Sequence, residues 1–280
     1  YVSLYGDKLK KVFKFDLDTP NLFESDVSPE IRVLVDQYPD SEELSVNHKI
    51  MIIDIEVEVT KGFPNPTEAD NCITSIAVYN SDDDTYYAFV LDEKKKLTLQ
   101  SKDNVVIESF ENEYSLLQRF FVKYLEFKST IITGWNIDTF DIPYLYNRYM
   151  FGGVSCLDYF SLYKLFTYTQ LSSYRLDAVA EYELGENKIE YSGTLNDLYE
   201  NNINKYVEYN IHDVRLVKKM HDKLDFIDMA RGVCHVGHVP YEDIYFSSRY
   251  LEGAILVYLK NLEVVAPNKP PKPKKEGKFA

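Results

Sequence analysis

The sequence predicts a mixed α/β fold, a mixed sheet flanked by helices, and three observations predict it. Lys49 to Thr60, KIMIIDIEVEVT, reads as one long strand, and two further apolar runs, Ile73–Tyr79 and Thr85–Leu91, follow it. Glu113–Phe127 carries Leu116, Leu117, Phe120, Phe121, Tyr124 and Leu125 at helical spacing, and a short buried strand, Thr130–Thr133, comes next. Helical pattern then dominates from about Ile142 to Ala230. Strands first, then strand alternating with helix, is the order of a sheet covered by helices.

The elements follow in order. Residues 1–48 form a partial leading module with loop signals at Asp18-Thr19-Pro20-Asn21 and Tyr38-Pro39-Asp40-Ser41. In the first long strand, alternation sets Met51, Ile53, Ile55, Val57 and Val59 on one face. Ile50, Ile52, Asp54, Glu56 and Glu58 occupy the other, which starts apolar and turns acidic. That pattern suits either a sheet edge facing water or a strand presenting carboxylates to a cleft. Gly62-Phe63-Pro64-Asn65-Pro66 breaks the strand, and Asn80-Ser81-Asp82-Asp83-Asp84 is a turn between the next two. After the short strand, Gly134-Trp135-Asn136-Ile137-Asp138-Thr139-Phe140-Asp141 leads to Pro143, which suits the first turn of a helix. Asp141 there reads as a helix N-cap or as a functional carboxylate, and Asp138 as an ordinary loop residue.

Tyr206 to Leu224 reads as a helix with Val207, Val214, Val217 and Leu224 on its apolar face and Ile211 and Met220 on the flanks. Tyr209 and Asp213, four apart, project side by side, either as a hydrogen-bonded pair on a solvated face or as part of a site. Residues 231–263 continue helical. The stretch from Val264 onward, Pro- and Lys-rich, reads as a linker or tail over 264–280.

Composition bounds the function. With 280 residues, 45% hydrophobic and 27% charged, the chain has enough apolar material for one large domain or two modest ones. Its 24 tyrosines and 16 phenylalanines predict a core and clefts rich in rings. No run nears the 18 apolar residues of a membrane helix, so no membrane partner is expected. The start has no signal-peptide core and no initiator Met, as expected of an excised piece. Three scattered cysteines, Cys72, Cys156 and Cys234, speak against a disulfide framework and suit a reducing cytoplasm. A net charge of −14 opposes binding of a polyanion unless carboxylates hold metal ions that reverse the local field.

Taken together, the acidic patterns resemble, in order and spacing, the three exonuclease motifs of family-B DNA polymerases. Asp54-Ile55-Glu56 is similar to the first, Asn136-x-x-x-Phe140-Asp141 to the second and Tyr209-x-x-x-Asp213 to the third. Asn21–Pro29, Ser173–Leu184 and Tyr245–Leu259 extend the resemblance over most of the chain, most of all to the polymerases of T-even-like bacteriophages and related cyanobacterial phages.

The resemblance implies a ribonuclease H-like exonuclease fold over 49–230, with 1–48 part of the polymerase's N-terminal module and 231–263 leading toward an absent palm. It implies a 3′→5′ exodeoxyribonuclease for proofreading, with two divalent ions, Mg²⁺ or Mn²⁺, as cofactors. Asp54 would bridge both ions, Glu56 and Asp213 would complete one site, Asp141 would support the second through water, and Tyr209 would hold the attacking water. Glu208 stands where His-containing relatives place their histidine, so this is the tyrosine type, and His212 points about 100° away from Asp213 on the helix. Trp135, Asn136 and Phe140 are candidate contacts to a frayed 3′ end. The implied partners are a DNA 3′ end or primer-template, a polymerase palm, fingers and thumb in cis or on another chain, and a sliding clamp through the full polymerase. The implied location is the cytoplasm of an infected bacterial host.

Two departures stand out. Only residues 151–156 join Met150 to Leu157, where the phage enzymes carry a strand-separating hairpin, so either the hairpin is lost or residues are missing there. Asp158-Tyr159-Phe160-Ser161-Leu162-Tyr163 imitates the start of a palm motif, but Lys164-Leu165 follows in place of Pro-Ser and no Asp-Thr-Asp occurs. That stretch is expected to start a helix capped by Asp158, and nucleotide incorporation is not expected. A free-standing exoribonuclease and a catalytically silent nuclease-fold scaffold are the competing readings. Cys234-His235-x-x-His238 lacks an evident fourth zinc ligand, Asp82-Asp83-Asp84 lacks the Gly and Glu of a calcium loop, and no phosphate-binding G-x-x-x-x-G-K-[ST] loop occurs.

Overall fold

A computed structural model describes residues 1–14, 19–40, 48–59, 63–149 and 154–269. In chain order these form β1 (Val2–Ser3), α1 (Pro29–Gln37), β2 (Ile50–Val57), β3 (Ile73–Asn80), β4 (Thr85–Leu91) and β5 (Val105–Phe110). Then come α2 (Glu113–Phe127), β6 (Ile131–Gly134), α3 (Asp141–Tyr149), β7 (Ser155–Asp158) and α4 (Tyr159–Phe166). The chain ends with α5 (Leu176–Leu184), α6 (Leu195–Asn201), α7 (Ile203–Leu224), α8 (Phe226–Gly237), a 3₁₀ turn at Tyr241–Tyr245, α9 (Ser247–Asn261) and β8 (Val264–Val265). Two compact units result, one of residues 45–230 and one of 1–44 with 231–280.

The larger unit is a six-stranded mixed sheet in the order β5-β4-β3-β2-β6-β7. β2 pairs antiparallel with β3 and parallel with β6, so it lies inside the sheet and not at a water-facing edge. Its odd-numbered residues Met51, Ile53, Ile55 and Val57 pack with Leu116, Leu117, Phe120, Tyr124 and Phe127 of α2 and with Tyr144 and Leu145 of α3. Each such side chain, fully buried, contributes about 1.5–3 kcal/mol. The even-numbered face meets α7, which packs across β2 and β3.

The helices start where the chain supplies caps. Asn112 accepts the Ser115 N–H at the start of α2, and Asn202 accepts the Lys205 N–H at the start of α7. Asp158 caps α4 by accepting the Phe160 N–H, as expected for that stretch. α3 is tied down by Arg148, whose guanidinium pairs with Glu113 of α2 and donates to the Ala69 carbonyl at 2.9 Å. Tyr144 Oη donates to the Asn71 carbonyl at 2.7 Å.

Within the six-stranded sheet, two strands were not expected. β7 interrupts the region predicted helical, because four residues carry no periodicity of their own and become a strand only by pairing with β6. β5 lies half-buried at the sheet edge beside β4, where alternation is weak. In the smaller unit, Val2–Ser3 pairs parallel with Val264–Val265, so the expected linker cannot begin at Val264. Residues 270–280 of the tail and 150–153 of the hairpin junction lie outside the described residues.

Candidate active site

Asp54 and Glu56 project from β2 toward α7, beside an irregularity in the β2–β3 register between Glu56 and Val57. α7 answers with Tyr206, Tyr209, Asn210 and Asp213, all buried, so the Tyr209–Asp213 pair is not on a solvated face. Oxygen atoms from Asp54, Glu56 and Asp213 lie within 4.8 Å of one another. Asp213 is 2% exposed, and its Oδ1 is enclosed without a hydrogen-bond partner.

Asp141 is the first residue of α3 and not the cap before it. Its carboxylate reaches back to β2, where Oδ1 accepts the Ile55 N–H at 2.9 Å. That bond sets Asp141 beside the backbone between the two acidic residues of the strand, but outside the trio that shares the 4.8 Å cluster. The close approach of β6 to β2 depends on Gly134: a Cβ there would lie 2.3 Å from the Ile53 carbonyl oxygen. Asn136 then turns the chain with φ of 65°, and its N–H donates to Asp158 at 2.7 Å. Trp135 packs edge-on against Phe160, Phe140 lies against Tyr144, and Asp138 is exposed. His212 Nε2 lies 2.9 Å from the Asn187 carbonyl and is not one of the clustered ligands.

Three side chains at the site escaped the sequence reading. Lys188, between α5 and α6, inserts its ammonium into the acidic cluster, pairing with Asp213 and donating to Tyr209 Oη at 3.0 Å. Asn210 accepts from Ser75 Oγ at 2.7 Å and donates to Asp54 Oδ2 at 2.6 Å, which sets the orientation of both amide and carboxylate. Phe63 is 83% exposed with its ring 5.3 Å from that of Phe140. An apolar-flanked Asn one residue after Tyr209 was a usable signal; nothing in the local pattern around Lys188 or Phe63 distinguishes either.

The electrostatics follow from burying like charges together. Burial raises the Asp54 carboxyl well above its usual range, and the charges of Asp213, Glu56 and Asp141 add to it. Burial, with Asp213 next, pushes Glu56 up to about 8. Asp141 rises to about 7, mainly by burial, although its bond from the Ile55 amide works the other way. Burial also raises Asp213, against the opposing pull of Lys188. For Lys188 burial disfavours the ammonium, but Asp213, Tyr209 and Asp54 outweigh it and hold the group charged. Clustered carboxylates with an orphaned oxygen suit a hard divalent cation, whose charge would relieve the repulsion and compete with the Lys188 ammonium for Asp213.

The chain matches the family described as DNA polymerase family B, exonuclease domain, over residues 10–201. It is 29% identical to the DNA-directed DNA polymerase of Escherichia phage RB69 over 80% of this chain and 31% of that protein. The DNA-directed DNA polymerase of Enterobacteria phage T4 is 29% identical over 78% of this chain and 30% of its own length. The DNA polymerase 1 of Saccharolobus solfataricus is 30% identical over 79% of this chain and 27% of its own. The chain thus spans about a third or less of the curated relatives it matches.

Proposed function

The chain belongs to the exonuclease-domain family of family-B DNA polymerases, and from that membership we propose that it is a metal-dependent 3′→5′ exonuclease acting on the 3′ end of single-stranded or frayed DNA. The observation that carries the proposal is the trio Asp54, Glu56 and Asp213 within 4.8 Å, with Asp141 tied to the Ile55 amide between the strand's two acids. A scaffold has no use for such a concentration of buried like charge. The relatives are named as DNA polymerases, which favours DNA over RNA as substrate.

Two divalent cations, Mg²⁺ or Mn²⁺, would supply an activated water and charge stabilisation at the leaving oxygen. Asp54, Glu56 and Asp213 are the residues to hold them, with Asp141 in support. Tyr209, its hydroxyl oxygen already accepting from Lys188, keeps its own proton to donate and would orient the nucleophile. Burial raises the Tyr209 hydroxyl pKa, so it acts as a neutral donor and not as a base. Lys188 offsets part of the negative charge that would otherwise repel a phosphate. Phe140, Trp135 and Asn136 are the proposed contacts to the terminal nucleotides, and exposed Phe63 extends that surface. In the whole protein the partners would be a polymerase palm, fingers and thumb, a primer-template and, through them, a sliding clamp. Its place would be the cytoplasm of an infected bacterium. No described helix is long and apolar enough to cross a membrane.

The test is direct. With Mn²⁺ or Mg²⁺ the purified chain should shorten 5′-labelled single-stranded DNA one nucleotide at a time from the 3′ end. Blunt duplex should be degraded more slowly, since freeing a terminal base costs a few kcal/mol. Asp141→Ala should lose about a thousandfold or more in rate, roughly 4 kcal/mol of transition-state stabilisation. Tyr209→Phe should lose less, and Asp138→Ala and His212→Ala should stay near wild type. Equal damage from Asp138→Ala and Asp141→Ala would show that the second motif is in the wrong register. Intact DNA with degraded RNA would hand the assignment to the ribonuclease reading.

A further inference from the structure

Apart from the acidic cluster, the described residues hold a second set of ligating side chains at the junction of α7 and α8. One ligand atom each from His221, Asp225 and Asp228 lies within 4.8 Å of the other two. His221 is in the last turn of α7, Asp225 is the left-handed residue that ends it, and Asp228 is in the first turn of α8. The backbone of the junction is held by the Asp225 N–H donating to the His221 carbonyl at 2.8 Å and the Met229 N–H donating to the Asp225 carbonyl at 3.0 Å.

Two enclosed polar atoms give this junction a meaning beyond helix capping. His221 Nδ1 is shut off from solvent without a hydrogen-bond partner. Tyr159 is 0% exposed, and its Oη faces the Phe226 backbone amide without a well-formed hydrogen bond. The Tyr159 ring stands edge-on to His221 at 6.1 Å and stacks on Phe226 at 6.0 Å, so the hydroxyl belongs to the same junction. After burial, the charge of Asp225 is the largest influence raising that hydroxyl's pKa. Leaving such atoms unmatched is unfavourable, and a ligand would recover that loss.

We propose that His221, Asp225 and Asp228 form a site for one divalent cation of the zinc type, clamping the end of α7 to the start of α8. One imidazole nitrogen with two carboxylates suits Zn²⁺ better than Mg²⁺, which prefers an all-oxygen shell. Tyr159 would hydrogen-bond a ligating carboxylate or a metal-bound water, in the manner of groups that orient metal ligands. The proposal is independent of the nuclease reading.

The probe is Zn²⁺ alone, titrated calorimetrically into the full chain with millimolar Mg²⁺ present, and into an Asp54→Asn/Asp213→Asn variant. One equivalent should bind in both, with a rise in Tm. His221→Gln and Asp228→Asn should each weaken binding by about a hundredfold, a change of roughly 2.7 kcal/mol. His235→Ala/His238→Ala should leave it unchanged, and circular dichroism should show every variant folded. Zinc binding that survives His221→Gln, that vanishes with Asp54 and Asp213, or that follows His235 and His238 overturns the proposal. So does the absence of binding at about 100 μM Zn²⁺, an affinity too weak for a built site.

Discussion

Lys188 is the residue on which the site's charge balance turns. It lowers the pKa values of Asp54, Glu56, Asp141 and Asp213, working against their burial in every case. Replacing Lys188 by Met should therefore let these carboxyls keep their protons to higher pH. Because a cation needs them ionised, the rising limb of the rate–pH profile should move upward, with a rate loss of roughly tenfold to a hundredfold. Lys188→Arg should restore much of the profile. An unmoved limb in Lys188→Met would mean that the ammonium packs beside the cluster without tuning it. Asn210 is the neutral counterpart: Asn210→Ala would strand the Ser75 hydroxyl and one Asp54 oxygen, at about 1–3 kcal/mol of stability.

At the scale of elements, the site depends on how closely β6 and the following turn approach β2. A Cβ at position 134 would meet the Ile53 carbonyl oxygen at 2.3 Å and Ile137 Cγ2 at 2.5 Å. Backbone cannot withdraw as a flexible side chain can, so Gly134→Ala should cost about 1–3 kcal/mol or more, read from urea denaturation midpoints. The shift should also loosen the Ile55–Asp141 bond, so the variant's exonuclease rate should fall further than its folded fraction. A Gly134→Ala protein with unchanged midpoint would refute this tight-approach account. The sequence announced β2, α2 and α7 because each is long and strongly periodic, and it placed Pro143 in the first turn of α3. It was silent on β5 and β7, a half-buried edge and a four-residue strand whose state is decided by neighbours.

Over the whole molecule, the raised carboxyls link stability to pH. Glu56 at about 8 and Asp141 at about 7 hold protons that the unfolded chain, titrating near 4.5 and 3.8, has already released. Their stabilising contribution is complete below the unfolded values and is lost as pH rises through 7 and 8. Metal-free protein should accordingly melt lower at about pH 8.5 than at about pH 6. Millimolar Mn²⁺ or Mg²⁺, which binds the ionised form, should raise Tm, and more at the higher pH. A metal shift that is absent, or that persists undiminished in Asp54→Ala, would count against the acidic cluster as the metal site. Supplied with primer-template and nucleotides, the chain alone should incorporate nothing, because Asp158 is occupied as a helix cap bonded to the Asn136 and Phe160 amides and to Ser161. Template-dependent extension by pure protein would overturn that reading.

The order of residue types was legible in the chain alone: an apolar strand that turns acidic at Asp54 and Glu56, an Asn-x-x-x-Phe-Asp turn ending at Asp141, and a Tyr–Asp pair one turn apart on a helix. Local periodicity and motif spacing carry that information, since alternation and the 3.6-residue turn assign faces without knowing what covers them. Each face still had two readings. Tertiary structure removed the water-facing edge and the solvated face by making β2 an interior strand and laying α7 across it, and it turned Asp141 back onto the Ile55 amide. It alone brought in Lys188 and Phe63, because a loop lysine and a ring beside a proline have no period to betray them, and it gave the apolar-flanked Asn210 its partners. Their positions are set by contacts between segments far apart in the chain, and only the folded molecule contains those distances.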